Sequence, residues 1–167
     1  MRGAGCPRGR ADGGPLRLLD LEYARRAAAA AVSHAVMSWA RIGAEHPGVR
    51  PLSDFEAELP PHAPSPAEAF EAQPQIALAR AEGLVGKGED PVVVFADPYA
   101  LRMTAELTAV SGSALVDLDG AWRSDPDGCF RTFPRSEESL AHLREVRAYL
   151  DDLDDHCIVV QVTAHRG

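Results

Sequence analysis

A chain of 167 residues has the size of one domain, and its 46% hydrophobic and 25% charged residues are ordinary for a globular protein. The formal net charge of −8 argues against a general nucleic-acid-binding protein, because such a protein needs a basic surface to neutralise phosphates. No apolar run approaches the roughly 18 residues of a membrane span, so we expect neither membrane insertion nor a membrane partner.

The N-terminal part of the chain is predicted to be helical after a short tail. Residues 1–15 combine glycine, proline and arginine with little that can pack, which predicts a disordered tail outside the fold. Asp20 is a typical helix N-cap, and apolar residues from Leu21 to Ile42 then recur at three- and four-residue spacing. This pattern predicts one long helix that ends before the His46-Pro47-Gly48 sequence.

The next segment carries signals for shorter helices. A short helix is predicted over Ser53–Leu59, which begins with capping-box spacing. The next helix is predicted to start at Ser65-Pro66-Ala67-Glu68, which combines an N-cap serine, a proline at the first helical position and a glutamate at the third. Pro74 then interrupts the helix, because an internal proline lacks an amide donor and clashes with the preceding turn. Three glycines between residues 83 and 88 end the segment.

From Pro91 onward the pattern predicts strands as well as helices. Val92–Phe95 is a short, continuously apolar run of the kind found in buried strands. Asp97 is the expected cap of a helix over Tyr99–Val110. A hairpin is predicted at Ala114–Arg123, where Asp119-Gly120 supplies a tight turn.

The remaining elements complete an α+β fold. We predict a third strand at Cys129–Phe133, a helix capped by Ser136 with a leucine-rich stripe, and a final strand over Ile158–Ala164 in the core of the sheet. The predicted unit therefore runs strand-helix-hairpin-strand-helix-strand from Pro91 to His165, as a small mixed β-sheet with two helices. We expect the helical residues 16–88 to pack on residues 91–165 and to form a single α+β domain over residues 16–167.

One short motif resembles that of a known enzyme family. Leu115-Val116-Asp117-Leu118-Asp119-Gly120 is similar to the first motif of the haloacid dehalogenase-like phosphatases, a strand that ends in Asp-x-Asp-Gly. The resemblance implies a nucleophilic Asp117 and an acid/base Asp119 beside a magnesium ion. It covers only residues 115–120, and the chain has no lysine after Lys87, so an Asp-Gly hairpin turn is the favoured interpretation.

Four aspartates follow the last predicted helix and give the leading candidate site. Asp151, Asp152, Asp154 and Asp155 crowd a helix C-terminus, where the helix dipole already disfavours negative charge. Such local conflicts are enriched at functional sites. Together with the net acidity, they favour a non-enzymatic protein-binding module, of the inhibitor or immunity type, that binds a basic partner.

The alternative is a small enzyme or small-ligand-binding domain. In that hypothesis Asp117, Gln161, Thr163 and His165 meet on one face of the sheet. No catalytic set, cofactor or metal site is predicted from the sequence, and no oligomeric state. The 3 cysteines are too few and too far apart for a disulfide framework, so a reducing, cytoplasmic location is expected. Abundant arginine and alanine indicate the codon bias of a GC-rich bacterial genome.

Overall fold

The computed structural model of the protein describes residues 13–58, 65–111, 114–127 and 135–160. Helices dominate this part of the chain. Their bounds are Leu21–Glu45 (α1), Leu52–Glu58 (α2), Pro66–Glu71 (α3), Pro74–Ala81 (α4), Pro91–Val94 (α5), Pro98–Ser111 (α6) and Glu137–Asp151 (α7).

Four helices begin where their capping residues predict. The side chain of Asp20 accepts a hydrogen bond from the Tyr23 amide at 2.7 Å, and Ser65 forms a complete capping box with Glu68. Such bonds satisfy amides that have no partner inside the helix. The same interaction begins α6 at Asp97 and α7 at Ser136. These starts confirm the sequence-based predictions.

The most extensive helix packing of the fold is between α1 and α6. Helix α1 lies along α6, and α6 also contacts α7. A buried cluster of Ala79, Val85, Val94 and Phe95 is covered by side chains of α1, among which Trp39 stacks on Phe95 with 5.7 Å between ring centroids. On α7 the predicted stripe faces inward, with Leu143, Val146 and Leu150 buried.

The predicted strand over Val92–Phe95 is wrong, because these residues form the short helix α5 and its C-cap. The side chain of Asp90 caps this helix by accepting from the Val92 amide at 2.8 Å, and Pro91 occupies the first helical position. An N-cap residue followed by proline is a helix-start signal. It prevails here over the β-branched run, and the helix still buries Val94 and Phe95 in the core.

The strands form two separate two-stranded antiparallel sheets in the described residues rather than one mixed sheet. Ala114–Val116 (β2) pairs with Trp122–Ser124 (β3), which confirms the predicted hairpin. The turn differs from the predicted one. Only Gly120 has a positive φ, of 80°, and Leu118, Asp119 and Gly120 form a longer loop closed by a hydrogen bond from the Gly120 amide to the Asp117 carbonyl.

The second sheet joins opposite ends of the described chain. Gly13–Pro15 (β1), which the sequence assigns to the disordered tail, pairs with Ile158–Val160 (β4). The pairing is so close that a Cβ atom on Gly13 would lie 2.2 Å from the Val159 carbonyl oxygen, and Gly13 has a φ of +148°. The core position predicted for the last strand is wrong, since Ile158 and Val160 are 67% and 66% exposed.

Some predictions fall outside the described residues. They concern the third strand at 129–133, the end of the last strand at 161–164 and most of the predicted tail. Within the described residues, α1 and every shorter helix lack the combination of length and apolarity that crossing a membrane requires.

Candidate partner-binding surface

Asp151, the first member of the aspartate cluster, is the last residue of α7 and is bound by arginines. Its Oδ1 accepts a hydrogen bond from Nη2 of Arg25 at 2.7 Å, and its Oδ2 lies 3.5 Å from Nε of Arg147. Both arginines also contact Glu22. Two guanidinium groups and two carboxylates therefore form a balanced network where the start of α1 meets the end of α7.

Arg25 is the buried centre of this network and is only 4% exposed. Burial by itself lowers the pKa of Arg25, but the hydrogen bonds to Asp151 and Glu22 outweigh it and raise the pKa above the ordinary value. The guanidinium thus stays charged inside the fold. Asp151 is consequently a partner of Arg25 and holds α7 against α1.

The other members of the cluster, Asp152, Asp154 and Asp155, have exposed side chains. None of their carboxylates forms an ion pair within the described residues. The backbone around them is nevertheless fixed, because the Asp154 side chain accepts from the His156 amide at 2.8 Å and the Asp155 carbonyl accepts from the Arg17 amide at 3.2 Å. The turn therefore presents negative charge to solvent on a defined backbone.

The surroundings of this turn are an open groove without a cluster of metal-ligating side chains among the described residues. Over the part of the chain that the structure describes, no three His, Cys, Asp or Glu side chains are grouped so that they could hold a metal ion. A wide, open groove of about 740 Å³ borders the turn, and its lining includes Leu18, Leu153 and Asp155.

Asp117, the first residue of the alternative ligand site, has a structural role in the hairpin. Its Oδ1 accepts from the amides of Ala121 at 2.8 Å and Asp119 at 3.1 Å, while its Oδ2 accepts from Nε of Arg123 at 3.1 Å. The Ala121 bond, helped by Arg123 and opposed by burial, holds the pKa of Asp117 below its ordinary value. The other members, Gln161, Thr163 and His165, lie outside the described residues.

These contacts also bear on the phosphatase-like motif. A nucleophilic aspartate must direct an oxygen at its substrate, whereas both oxygens of Asp117 are occupied by hydrogen bonds inside the hairpin. Asp117 directly follows β2, which is joined by a short loop to its antiparallel partner β3. The motif is therefore used here as a turn.

The hairpin has an unusual distribution of side chains between its two faces. Asp117 and Arg123 pair on the inner face, and Asp117 is buried. Val116 and Trp122 are cross-strand partners on the outer face, where they are 55% and 70% exposed, and Leu118 follows at the loop with 72% exposure. Sheets with one solvated face normally place apolar residues inward and polar residues outward.

Sequence reasoning missed this outward apolar face. The apolar neighbours of Asp117 point to both faces of the strand; they are Leu115, Val116 and Leu118. The alternation of apolar and polar residues therefore does not indicate which face is buried. The one available signal is Trp122, a large aromatic residue two positions after the predicted Asp119-Gly120 turn.

No protein-family model, curated protein or solved structure matches this chain.

Proposed function

We propose that this protein is a non-enzymatic protein-binding module, of the inhibitor or immunity type, and that it binds a basic partner through Asp152, Asp154 and Asp155. The observation that carries the proposal is the division within the aspartate cluster. Asp151 is neutralised by Arg25 and Arg147, whereas the three following carboxylates face solvent without an arginine partner among the described residues.

A basic protein is the partner whose chemistry fits this turn. Three exposed carboxylates within a few residues create a local negative potential, and the net charge of −8 extends it over the molecule. Such a potential attracts a positively charged protein over distances of about a Debye length and accelerates its association. The hydrogen-bonded backbone of the turn also reduces the conformational entropy that binding would cost.

The alternative enzyme hypothesis loses one of its named residues. Asp117 serves the hairpin with both carboxylate oxygens, so its use in catalysis would require the hairpin to give up those bonds. The exposed aspartates need no such rearrangement to meet lysine or arginine side chains. The described geometry therefore supports binding by the turn better than chemistry at Asp117.

The first test compares two variants that remove the same amount of negative charge. Asp152→Asn/Asp154→Asn/Asp155→Asn removes the proposed surface, and Glu56→Gln/Glu138→Gln/Glu145→Gln removes three exposed carboxylates elsewhere. Each protein is used to capture partners from an extract of its native host at low salt. We expect the wild type and the glutamine variant to retain a basic protein that the asparagine variant loses.

The captured protein is then purified and its affinity measured as a function of salt. We expect the asparagine variant to bind at least about tenfold more weakly at low ionic strength, and the difference to shrink as salt screens exposed charges. An inhibitor-type role further predicts that a stoichiometric amount of this protein blocks the partner's activity. Equal binding by the two variants, or capture of acidic partners alone, would overturn the proposal.

A further inference from the structure

A pocket of about 320 Å³ lies between α6 and α7. Its size falls within the range of small-molecule sites, which commonly run from about 300 to 1,000 Å³. All the residues that line it belong to one of these two helices. The shape of the pocket is therefore set by the packing of two helices, which hold side chains more precisely than loops do.

Part of the lining is apolar. It consists of Met103 and Leu107 from α6 and Ala148 from α7. Leu107 is buried and Met103 is half-buried, so little of their surface is in contact with water outside the pocket. Water is displaced from such surface with a gain in free energy when an apolar group covers it. The pocket therefore favours a ligand that has an apolar part.

The two carboxylates in the lining already have arginine partners. Glu106 accepts a hydrogen bond from Nε of Arg102 at 3.1 Å, and Asp151 accepts one from Nη2 of Arg25 at 2.7 Å. The arginines offset most of the attraction that these carboxylates would exert on a cation from solution. The pocket is therefore a poor receptor for a positively charged ligand.

The two arginines in the lining have weaker contacts with the protein. Arg147 lies 3.5 Å from Asp151 and 3.7 Å from Glu22, which is longer than an ordinary hydrogen bond. Arg144 forms no ion pair with any residue that the structure describes, and its Nη2 donates instead to the Met103 sulfur at 3.6 Å. A thioether is only a weak acceptor. Arg144 therefore brings an uncompensated positive charge to the pocket.

The spacing of Arg144 and Arg147 adds to this charge. They are three residues apart on α7, and residues at that spacing have Cβ atoms about 5–6 Å apart. Like charges at such positions repel each other, and an anion bound beside them relieves the repulsion. Guanidinium groups also match the geometry of a carboxylate, to which they donate two parallel hydrogen bonds.

We propose that this pocket binds a small organic molecule with one carboxylate and a short apolar chain. The carboxylate meets the Arg144 guanidinium, with Arg147 beside it, and the chain lies against the apolar lining. A single negative charge matches the one uncompensated arginine. The second charge of a phosphate monoester would be repelled by the two carboxylates of the lining. This site is separate from the acidic turn and does not depend on the proposed protein partner.

The probe is hexanoate, added at constant ionic strength and followed by methyl NMR. The methyl groups of Met103 and Leu107 report occupancy, because both side chains line the pocket. Hexanamide has nearly the same chain without the charge, and acetate has the charge without the chain. We expect hexanoate to shift both methyl signals in a saturable way, and the two control compounds to bind about tenfold more weakly or worse.

Arg144→Gln removes the uncompensated charge. Hexanoate binding should weaken about tenfold or more, while the unfolding temperature stays close to that of the wild type, because Arg144 has no ion pair to lose among the described residues. Arg26→Gln is the matched control. Arg26 is likewise an exposed helical arginine without an ion pair in the described part of the chain, so this variant removes the same charge from α1. It should bind hexanoate as the wild type does.

A second pair of variants changes only the charge at one position of the lining. In Ala148→Glu the new carboxylate would follow Arg144 by four residues, which is the spacing of a helical ion pair, and would occupy its guanidinium. Ala148→Gln adds a side chain of the same size without the charge. Hexanoate should bind about tenfold more weakly to the glutamate variant than to the glutamine variant. Both should fold, because Ala148 is exposed and both new residues are good helix formers.

Four results would overturn the proposal. The first is the absence of a saturable methyl shift at millimolar hexanoate. The second is an equal effect of hexanamide or acetate, which would indicate apolar contact or nonspecific anion association. The third is equal affinity in Arg144→Gln and Arg26→Gln. The fourth is tighter binding of hexyl phosphate than of hexanoate, which would assign the pocket to a phosphorylated ligand.

Discussion

Each of the two small sheets consists of two short antiparallel strands, but different interactions hold the two sheets together. The β2–β3 hairpin joins residues close in sequence, and the side chain of Asp117 fixes its loop with two amide bonds and an arginine contact. The β1–β4 sheet joins the beginning and the end of the described chain. Its pairing continues past the strands through a backbone bond from Leu16 to Cys157 at 2.8 Å.

The difference shows what each sheet requires from the rest of the molecule. The hairpin contains its own stabilising side chains. The β1–β4 sheet depends on the helices beside it, since β1 leads into α1 and β4 follows α7. The Arg25–Asp151 ion pair connects α1 and α7 near the ends from which β1 and β4 extend. A change that breaks the Arg25–Asp151 contact should therefore affect β1–β4 before it affects the hairpin.

The largest effect is expected from Arg25→Met, which removes the buried guanidinium and keeps much of its apolar stem. The free energy of unfolding should fall by about 2 kcal/mol, because hydrogen bonds to charged groups contribute about 1.5–3 kcal/mol and Asp151 keeps its contact with Arg147. Arg102→Met is the control. It removes an exposed i,i+4 pair with Glu106, which should cost only about 0.3–0.5 kcal/mol.

Denaturant titration measures both changes, and amide hydrogen exchange locates them. In Arg25→Met the Leu16 and Arg17 amides, which bond to Cys157 and Asp155, should lose protection before the Asp117 amide of the hairpin does. Similar losses of stability in the two methionine variants would contradict the central role of Arg25.

A more local effect is expected from Gly13→Ala. The new Cβ atom would lie 2.2 Å from the Val159 carbonyl oxygen. Residue 13 also has a positive φ, which residues other than glycine rarely adopt. Strain of this kind costs about 1–3 kcal/mol, and the short strand β1 can relieve it by separating from β4. Exchange of the Leu16 amide should accelerate accordingly while the helices remain protected.

Gly14→Ala provides the comparison for that change. A Cβ at Gly14 would meet only Leu19 Cδ2, at 4.0 Å, and the residue has no positive φ. Its exchange pattern should match that of the wild type. If both alanine variants freed β1 equally, close approach at Gly13 would not be the reason for the glycine.

The local signals of the sequence predicted much of the helical structure. Caps act on amides only two or three residues away, so Asp20, Ser65 and Ser136 identify helix starts without any tertiary information. The hairpin was predictable for the same reason. Its exact loop was not, because one positive φ at Gly120 is compatible with more than one loop length.

The contacts that define the candidate surfaces were not predictable, because they join distant parts of the chain. Arg25 looks like an ordinary helix-surface charge in sequence, and only its meeting with Asp151 buries it. The β1–β4 pairing likewise joins distant parts of the chain. Helix α5, in contrast, begins at a local signal, the Asp90 cap followed by Pro91, which the β-branched run outweighed in the prediction. The exposure of Asp152, Asp154 and Asp155 follows from their charge, but the neutralisation of Asp151 does not.

The smallest effect is expected from Asp117→Asn, and it is a pH effect confined to the hairpin. The pKa of Asp117 is lowered in the fold, so its contribution to stability is complete above the ordinary aspartate pKa of about 3.9 and is lost as the pH falls through the lower, folded value. The Ala121 amide, which donates to Asp117 Oδ1, should report this titration by NMR.

In Asp117→Asn the titration should disappear, because the amide oxygen can still accept the hydrogen bond but carries no charge. Asp119→Asn, at an exposed loop position, should retain it. A titration that persists in Asp117→Asn would show that another group controls the hairpin, and the contrast between a self-stabilised sheet and a helix-dependent one would then no longer rest on Asp117.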